Sequence, residues 1–589
     1  MTPAAAPARA LPAPPAPRTV AAPERRRPAR PVVAPAAQRP IVIHVPRPRL
    51  TWSPWTVSAA LITLALWVPI LMVARGVLAP AGETWEHLAR TVLPGYVATS
   101  VLLALGACAL AVVVGAGTAW LVATCAFPGR RFFEWALVLP LSVPAYVAAY
   151  TYAGMLDVAG PVQLAIRTLF PSLADRFLHV QVAGLGVAIL IFAGVLYPYV
   201  YVAARTSFLR QSRTALEASR VLGRSAAGTF FRIALPLARP ALVAGASLVV
   251  LEVLNDYGAV KYLGVTTFTT GIFRAWFGLG DLSAAIRLAA FLLLVVFAVL
   301  SLERMQRGRS SVSPSAETER PLEPYRLRGW AAAGAFAACA VPVLFGFLIP
   351  VAQLGYWAAL TAGRVVNGEF LLLLARSFAL ALGAAALAVV LALVIAYAAR
   401  LGRSTFVRGL ARVAVLGYAV PGAVIAVGVL VPLGALDRAL GGAVQAITGT
   451  APGLLIGGTV LALIYAYSVR YLAVAYLPVE AGFERECRGL DEASRCLGVP
   501  PLATLRRVGL PLLRGALAGA LILVFVDVLK ELPLTLVLRP FDFDTLATRA
   551  YQLASDERVA ESASAALVLI AAGVPAIIGA NRLFGRSRR

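Results

Sequence analysis

The chain of 589 residues is 60% hydrophobic and only 14% charged, with a mean hydropathy of +0.81. These values lie outside the range of soluble globular proteins, so the composition predicts a polytopic membrane protein. In a soluble protein the net charge of +25 would suggest a nucleic-acid partner. In a membrane protein the positive charge reflects arginine concentrated in loops on one side of the bilayer. Membrane lipid is therefore expected as a partner, and nucleic acid is not.

The first 50 residues differ in composition from the rest of the chain. They contain nine arginines, one glutamate and 13 of the 40 prolines, without helical periodicity. A segment of this kind cannot bury enough apolar surface to fold. Residues 1–50 are therefore predicted to be a disordered cytoplasmic tail.

Twelve apolar segments follow the tail. Each is long enough to cross a hydrocarbon core of ~30 Å, for which ~20 helical residues are needed. The spans are predicted near 55–78, 97–124, 133–156, 181–204, 238–256, 283–302, 330–358, 374–399, 410–433, 453–477, 513–533 and 562–581. Pro140, Pro144, Pro198 and Pro421 fall inside spans, which is tolerated where neighbouring helices satisfy the freed carbonyl groups.

Arginine clusters recur in every second loop. They lie in the tail and at 130–131, 205–239, 304–309, 400–403, 492–517 and 586–589. The loops between them are poorer in arginine, although they include Arg90, Arg167, Arg176, Arg274, Arg364, Arg438, Arg539 and Arg549. Because arginine-rich loops are retained in the cytoplasm, an even number of spans with both termini cytoplasmic is predicted.

One polar stretch occurs twice, at 217–242 and at 492–517; we name these the first and second duplicated segments. Each reads Glu-Ala-Ser, then Gly six residues after the Glu, then Leu-Pro at positions eighteen and nineteen after it. The interval from Glu217 to Glu492, which we name the repeat offset, also separates Gly223 from Gly498. A polar, arginine-bearing segment repeated in fixed register within so apolar a chain is the main sequence clue to function.

The repeat extends beyond the duplicated segments. Residues 100–123 are similar to residues 377–399, and the interval from Pro144 to Pro421 is two positions longer than the repeat offset. After the duplicated segments the repeat offset is kept by the pairs Phe268 and Phe543, Arg274 and Arg549, and Asp281 and Asp556. The two halves therefore form a parallel repeat, and a pseudo-two-fold axis along the membrane normal predicts one pathway between them.

Each duplicated segment is interpreted as two short helices joined at a glycine. Gly223 suits a turn that needs positive φ, and Pro236 is placed at the start of the next membrane helix, where a missing N–H costs little. The result is an amphipathic surface suited to docking in a groove of another protein. A surface helix in the lipid interface is the alternative, but it would not need the shared Glu, Gly and Leu-Pro register.

The pattern of the duplicated segments resembles the EAA loop of type I ABC importer permeases, the coupling helix that sits in a cleft of the cytoplasmic ATPase. The matching residues are Glu217, Ala218, Gly223, Ile233, Leu235 and Pro236, and Glu492, Ala493, Gly498, Leu510 and Pro511. The sequence departs from the pattern at Ser219 and Ser494, which replace the second Ala, and at Val508, which replaces Ile. The resemblance implies that these residues couple the chain to two ATPase copies.

The stretches 252–281 and 527–557 resemble those of ferric-iron importer permeases. Fused permeases for thiamine and for phosphonates are similar in plan, so thiamine, a phosphonate or another small solute remains an alternative substrate. The resemblance implies an all-α polytopic fold with about 12 transmembrane helices, in two parallel repeats of the type I ABC importer transmembrane fold. It also implies a bacterial inner membrane location and a periplasmic substrate-binding protein as partner.

The resulting organisation has five parts. They are the tail at 1–50, a first permease half at 51–302, a cytoplasmic linker at 303–328, a second permease half at 329–582 and a basic C-terminal tail at 583–589. Within the halves, the ABC transmembrane units are placed at about 97–302 and about 373–581.

The chain has no ATPase signature of its own. A P-loop needs Gly-Lys followed by Ser or Thr, and its lysine binds the nucleotide phosphates. The two lysines of this chain, Lys261 and Lys530, do not follow glycine. We therefore expect a transport subunit that is not an enzyme and binds no cofactor, with ATP used by a separate subunit. The three histidines are scattered, and no stable metal site is expected.

Two pairs of carboxylates occupy equivalent positions near the ends of predicted spans. Glu252 and Asp256 are four residues apart, hence on one helix face, and the repeat offset maps them onto Asp527 and Glu531. Charged groups this close to the apolar core are costly and usually functional, and hard cations prefer oxygen ligands. We hypothesise that the four line a route for Fe(III). The structural alternative is that Lys530 pairs with Asp527 while the other carboxylates cap helix ends.

Two other classes of protein are considered. An ion-gradient-driven secondary transporter would use the carboxylates as a proton relay, and it would need no ATPase subunit. A passive channel is disfavoured, because a channel has no use for two docking surfaces.

Overall fold

The computed structural model of the chain describes residues 53–78, 82–169, 183–211, 217–219, 221–307, 324–401, 405–450, 453–487 and 489–586. The tail predicted at 1–50, most of the linker predicted at 303–328 and the last three residues of the C-terminal tail lie outside the described residues. The two predicted halves belong to one compact unit.

The first half is helical apart from one short strand. Its elements are α1 (Pro54–Gly76), α2 (Glu83–Thr91), α3 (Leu93–Thr124), β1 (Cys125–Ala126), α4 (Arg130–Ala136), α5 (Ala145–Leu156), α6 (Pro161–Leu169), α7 (Leu185–Arg210), α8 (Ala226–Thr229), α9 (Leu235–Asn255), α10 (Gly258–Tyr262), α11 (Phe268–Phe273) and α12 (Leu282–Arg307). A 3₁₀ turn lies at Leu139–Ser142, and π-turns lie at Phe230–Ala234 and Arg274–Gly278.

The second half repeats this order. Its elements are β2 (Tyr325–Arg326), α13 (Gly329–Val343), α14 (Ile349–Val365), α15 (Gly368–Leu401), α16 (Thr405–Ala414), α17 (Gly422–Thr448), α18 (Val460–Glu486), α19 (Leu490–Cys496), α20 (Pro501–Thr504), α21 (Leu510–Leu529), α22 (Pro533–Leu538), α23 (Leu546–Ser555) and α24 (Val559–Arg586). A 3₁₀ turn lies at Val415–Ala419, and π-turns lie at Leu344–Leu348 and Leu505–Gly509. The two short strands pair in parallel.

Membrane-spanning helices account for most of the described chain. Among the described residues, eleven helices are long and apolar enough to cross a membrane, or up to twelve if one bent pair counts as a span. The predicted class, an all-α polytopic membrane protein with about 12 transmembrane helices, is confirmed.

The span predicted at 133–156 is not one continuous helix. The chain bends by 88° between Arg130–Ser142 and Ala145–Leu169, and the second helix begins after Pro144, whose ψ of 141° is extended. The span predicted at 410–433 has the same break before Pro421, so its long helix is Gly422–Thr448. Proline removes a helical N–H and disfavours helical geometry in the preceding residue, which explains both breaks.

Pro236 and Pro511 do not start separate membrane helices, contrary to the sequence interpretation. The membrane helix runs unbroken over Ala226–Asn255 in the first half and over Pro501–Leu529 in the second. A π-turn precedes each proline, at Phe230–Ala234 and Leu505–Gly509. The wider turn accommodates a residue that has no N–H to donate and whose ring would clash with an α-helical turn.

The first helix of each half packs against the other half. In α1, the Trp67 indole donates a hydrogen bond to the carbonyl of Val413 (2.9 Å), and Ala65 accepts one from the Tyr465 hydroxyl (2.6 Å). In the long helix Gly329–Val365, Phe336 packs edge-on against Phe133 of the first half at 5.2 Å between ring centroids. Because each first helix packs against the opposite half, the two halves are held together around a shared interior.

The repeat register shifts after the short helices α10 and α22. Thr267 and Thr545 each form a capping box at the start of the next helix, and the interval between them exceeds the repeat offset by three positions. The N–H groups of Phe268 and Leu546 donate to Ser100 and Ser377, respectively. Phe268 therefore corresponds to Leu546, and the loop after α22 is three residues longer than its counterpart. The pairs predicted from the constant offset, Phe268 with Phe543, Arg274 with Arg549 and Asp281 with Asp556, are not equivalent in structure.

Candidate functional site

A cavity of about 120 Å³ lies where the two halves meet. It forms at the ends of α9 and α21 and at the breaks before Pro144 and Pro421, where the backbone leaves helical geometry. Its polar lining consists of Tyr146, Tyr199, Glu252, Asn255 and Asp256 from the first half and Tyr418, Arg470, Tyr471, Asp527, Lys530 and Glu531 from the second. Irregular backbone at membrane depth is stable where it lines such a cavity. All four carboxylates singled out from the sequence therefore meet at one place.

Asp256 and Glu531 cap equivalent short helices. An oxygen of Asp256 accepts the N–H groups of Ala259 (2.8 Å) and Val260 (3.4 Å) at the start of α10. The Glu531 carboxylate accepts those of Leu534 (3.1 Å) and Thr535 (3.0 Å) at the start of α22. Both satisfy amides that the break in the membrane helix leaves without partners. Helix capping, the structural alternative for these two residues, is what the geometry shows.

Asp527 and Glu252 occupy equivalent positions but have different surroundings. Asp527 forms an ion pair with Lys530 (3.0 Å), as the structural alternative predicted, with each side chain nearly a third exposed. Glu252 accepts a long hydrogen bond of 3.4 Å from the Tyr199 hydroxyl. Of the four carboxylates, these two are the ones not committed to a helix start.

Arg470 is a cavity residue that sequence reasoning missed. It donates to the side-chain oxygen of Asn255 (2.8 Å) across the interface between the halves. The same oxygen accepts the N–H of Gly422 (2.7 Å), and the Arg470 guanidinium lies 5.5 Å from the Tyr471 ring centroid. The signal was present, since Arg470 is an arginine within the span predicted at 453–477, and charges inside membrane spans are usually functional.

Two glycines allow close packing beside the cavity, and at Gly258 this packing is between the halves. A Cβ on Gly258 would lie 2.6 Å from a Leu532 methyl carbon and 2.7 Å from the Tyr146 Cβ. A Cβ on Gly422 would lie 2.8 Å from a Glu531 oxygen and 3.0 Å from an Arg470 nitrogen. Any side chain at either position would therefore push the cavity wall apart.

The two duplicated segments have matching conformations at their glycines. Gly223 and Gly498 have φ values of +75° and +71°, so both turns use the left-handed region predicted from the sequence. Leu222 and Leu497, which precede them, are each 80% exposed. Paired apolar side chains left in solvent beside rigid turns provide a surface for a partner.

Apart from the glutamates, the remaining matched residues have the same exposure in both copies. Ala218 and Ala493 are exposed, as are Pro236 and Pro511, whereas Ile233 with Val508 and Leu235 with Leu510 are half-buried. Glu217 is half-buried and Glu492 is exposed. The two copies therefore present nearly the same surface, while their half-buried residues hold each segment to its membrane helix.

The two duplicated segments are anchored by different chemistry. In the second half, Arg400 pairs with Asp491 and donates to the carbonyls of Phe483 (3.0 Å) and Cys487. The Tyr397 hydroxyl adds a bond to the carbonyl of Pro501 (2.8 Å).

Aromatic packing is found at this place in both halves, and in the second half Tyr397 stacks on Phe483 at 5.8 Å between ring centroids. Trp120 is the counterpart of Tyr397 in the register that aligns Pro144 with Pro421, and it packs against Phe208 and Phe230 at 5.4 Å and 5.3 Å between ring centroids. The positions that correspond to Arg400 and Asp491 hold Ala123 and Leu216, respectively. The Arg400–Asp491 pair therefore has no equivalent at these two positions of the first half.

The described residues contain no group of three or more His, Cys, Asp or Glu that could hold a metal ion. The convergent carboxylates thus line the cavity without forming a ready-made chelating cluster.

Comparison with known proteins defines the class. Residues 388–589 match the family described as "Binding-protein-dependent transport system inner membrane component". The chain is 27% identical to the Fe(3+)-transport system permease protein FbpB 2 of Haemophilus influenzae, over 89% of this chain and 97% of that protein. It is 26% identical to the probable ABC transporter permease protein y4fN of Sinorhizobium fredii, over 69% of this chain and 73% of that one. It is 29% identical to the sulfate transport system permease protein CysT of Synechococcus elongatus, over 32% and 65%.

The fold and these similarities identify the chain as a permease of an ABC importer, a multi-pass membrane protein with two fused permease units. The resemblance to ferric-iron permeases, predicted from the sequence, is confirmed by the similarity to FbpB 2 over nearly the whole chain. Membership of this class implies an ATPase subunit and a substrate-binding protein as partners.

Proposed function

We propose that the chain imports ferric iron across a bacterial inner membrane as the transmembrane subunit of an ATP-driven complex. The observation that carries this proposal is the convergence of Glu252, Asp256, Asp527 and Glu531, two from each half, on one cavity at the interface. Carboxylate oxygens are the ligands that hard cations prefer. The similarity to a permease named for Fe(3+) transport supports the same cargo.

The four carboxylates divide into two roles in this proposal. Glu252 and Asp527 contact the iron, because their oxygens are not used to cap a helix. Asp256 and Glu531 are positioning residues that hold the short helices α10 and α22 in place. Passing iron between two single carboxylates, without a multidentate cage, keeps its binding weak enough for release.

ATP drives the cycle through the duplicated segments. Two copies of a separate ATPase subunit bind the exposed surfaces beside Gly223 and Gly498, one copy to each segment. Both chain termini and both segments lie in the cytoplasm, and a periplasmic binding protein delivers iron at the opposite face. Closure of the ATPase dimer carries the segments inward and rocks one half against the other about the cavity. The chain itself binds no cofactor, and ATP is consumed by its partners.

Uptake by the reconstituted complex tests the proposal. Proteoliposomes containing this chain and its ATPase subunit, supplied with the binding protein, are given labelled ferric iron, thiamine or a phosphonate. We expect uptake of iron alone, and only with ATP inside the vesicles. Uptake of thiamine or the phosphonate in place of iron would contradict the cargo. Iron uptake driven by an ion gradient without ATP would instead identify a secondary transporter.

A further inference from the structure

A second concave site of about 520 Å³ lies in the second half and shares no lining residue with the cavity. It is formed by the end of α14, the start of α15, the loop after α22, and the helices α23 and α24. Its lining includes four carboxylates and the four arginines Arg364, Arg376, Arg549 and Arg558. We name this site the charged pocket. Most of its charged side chains are exposed, so it is open to solvent.

The charged pocket and the second duplicated segment are at opposite ends of α15. Glu369 lines the pocket from the first turn of this helix, whereas Arg400, in the last turn, pairs with Asp491 beside the segment. The helix has 34 residues. At ~1.5 Å per residue it is about 50 Å long, which exceeds the ~30 Å of the hydrocarbon core. Since the proposed function has the segments in the cytoplasm, the charged pocket faces the periplasm.

The corresponding place in the first half is filled. In the register that the capping boxes and their serine contacts define, Tyr96 is the counterpart of the lining residue Leu373, and Gly271 is the counterpart of Arg549. Tyr96 is only 2% exposed, and a Cβ on Gly271 would lie 2.5 Å from one of its ring carbons. Because the first half forms the same fold without a pocket or an arginine here, the fold requires neither.

The charges of the pocket suit a protein partner. Two of the carboxylates are neutralised by ion pairs, Asp544 with Arg539 and Glu561 with Arg558. The other three arginines form no ion pair within the described part of the chain, and each of them is exposed, as are the other two carboxylates. Arginine is enriched in protein–protein interfaces. The carboxylates would repel an anionic lipid headgroup, so the mixture of both charges favours a protein surface of complementary pattern.

The loop after α22 adds an aromatic side chain beside the pocket. Phe541 is 100% exposed, and its neighbour Asp542, which lines the pocket, has a φ of +58°. Left-handed backbone is uncommon for a residue with a side chain, and such strain is concentrated at functional sites. The loop is three residues longer than its counterpart in the first half. An exposed aromatic ring beside arginines is the combination that dominates binding energy in protein interfaces.

Resting on the proposed function, we infer that the charged pocket and Phe541 form the docking surface for the periplasmic binding protein, and that this surface fixes its orientation on the complex. Two equivalent surfaces about the pseudo-two-fold axis would allow the binding protein to dock in two orientations. A surface that the second half carries selects one of them. The matching surface of the binding protein supplies carboxylates to Arg376 and Arg549 and an apolar depression for Phe541.

Titration of ATPase stimulation tests the inference. Complexes of this chain with its ATPase subunit are reconstituted in proteoliposomes, and loaded binding protein is added at increasing concentration. The double variant Arg376→Glu with Arg549→Glu should raise the concentration for half-maximal stimulation at least about tenfold, because like charges then face each other across the interface. Phe541→Ala should raise it severalfold. The maximal rate, reached when the surface is saturated, should be kept, and co-purification of the ATPase subunit checks assembly.

Arg90→Glu is the matched control for the charge reversal. Arg90 is exposed in α2, just before α3, which is the first-half counterpart of α15. We expect this variant to respond to the binding protein as the unaltered complex does, and an equal rise in the half-maximal concentration would refute a fixed orientation.

The other outcomes separate the inference from the proposed function. An unchanged half-maximal concentration in the double variant would overturn the inference and leave the proposed function intact. Absence of stimulation in the unaltered complex would overturn both. A rise that occurs only in vesicles containing phosphatidylglycerol, and not in phosphatidylcholine alone, would identify an anionic lipid as the occupant and overturn the inference.

Photocrosslinking examines the contact directly. Phe541→p-benzoylphenylalanine should form an adduct with the binding protein on illumination. The same substitution at Trp330, which is 94% exposed at the start of the long helix Gly329–Val365, should not, because the charged pocket lies at the other end of that helix. Failure of position 541 to form the adduct would overturn the docking surface.

Discussion

Arg400, near the end of α15, forms an ion pair with Asp491, the residue before Glu492 in the second duplicated segment. The same guanidinium donates to two main-chain carbonyls at the end of α18, so one side chain joins two membrane helices to the segment. The corresponding positions in the first half, Ala123 and Leu216, cannot form such a pair. The two duplicated segments therefore differ in this anchoring contact, although their exposed surfaces are nearly the same.

We predict that Arg400→Ala uncouples ATP hydrolysis from transport. The change leaves Asp491 and two carbonyls without their donor, so the second duplicated segment moves independently of α15. The stimulation of ATPase activity by the loaded binding protein should fall severalfold, with a larger fall in iron transported per ATP. The exposed Arg408 at the same end of the bundle provides the control variant, Arg408→Ala. Normal coupling in Arg400→Ala would show that the aromatic anchoring of the first segment is sufficient.

Gly223 and Gly498 should not tolerate a β-branched residue. A Cβ at either position meets no atom within 4 Å, so the effect of Gly223→Val or Gly498→Val is confined to the backbone, at about 1–2 kcal/mol for left-handed φ. We expect each change to weaken ATPase binding, measured by co-purification, and the double variant to abolish stimulated hydrolysis. Gly409→Ala, at a helical glycine with equally open space, is the control. Equal ATPase binding by the Val variants and this control would contradict the proposed docking turns.

The four cavity carboxylates should separate into two groups by phenotype. Glu252→Gln and Asp527→Asn remove charge without removing a helix cap, so we expect lower iron uptake with unchanged thermal stability of the complex. Asp256→Ala and Glu531→Ala each remove a cap, worth about 1 kcal/mol, so their main effect should be a lower midpoint of thermal unfolding. If Glu252→Gln and Asp527→Asn both transport iron normally, the proposed route is wrong.

Gly422→Ala should impair transport through sterics alone. The added methyl group would lie 2.8 Å from Glu531 and 3.0 Å from Arg470, so it would displace the groups that line the cavity. We expect slower iron uptake by complexes that still contain the ATPase subunit in normal amounts. The control is Gly442→Ala in the same helix, where a Cβ meets nothing within 4 Å. Equal uptake by the two variants would mean that the cavity wall adjusts freely.

The sequence predicted the class of fold because membrane insertion depends on local composition. An apolar run of sufficient length forms a helix in lipid whatever its neighbours are, since each helix satisfies its own backbone groups. The duplicated segments could be predicted for a similar reason, because Gly223 and Gly498 specify a positive φ locally. The convergence of the four carboxylates also followed from sequence, since repeat symmetry places equivalent residues about one axis.

Only the tertiary structure decided what those carboxylates do. Asp256 and Glu531 cap the short helices α10 and α22, which were not predicted from the sequence. The three-residue insertion after α22 was also missed, because some residues match at the constant repeat offset. The surroundings of Arg470 come from separate parts of the chain, since its partner Asn255 also accepts the backbone N–H of Gly422. Local sequence specifies each helix through its own backbone hydrogen bonds. The charge balance of the cavity depends on which side chains the packing of the two halves brings within hydrogen-bonding distance.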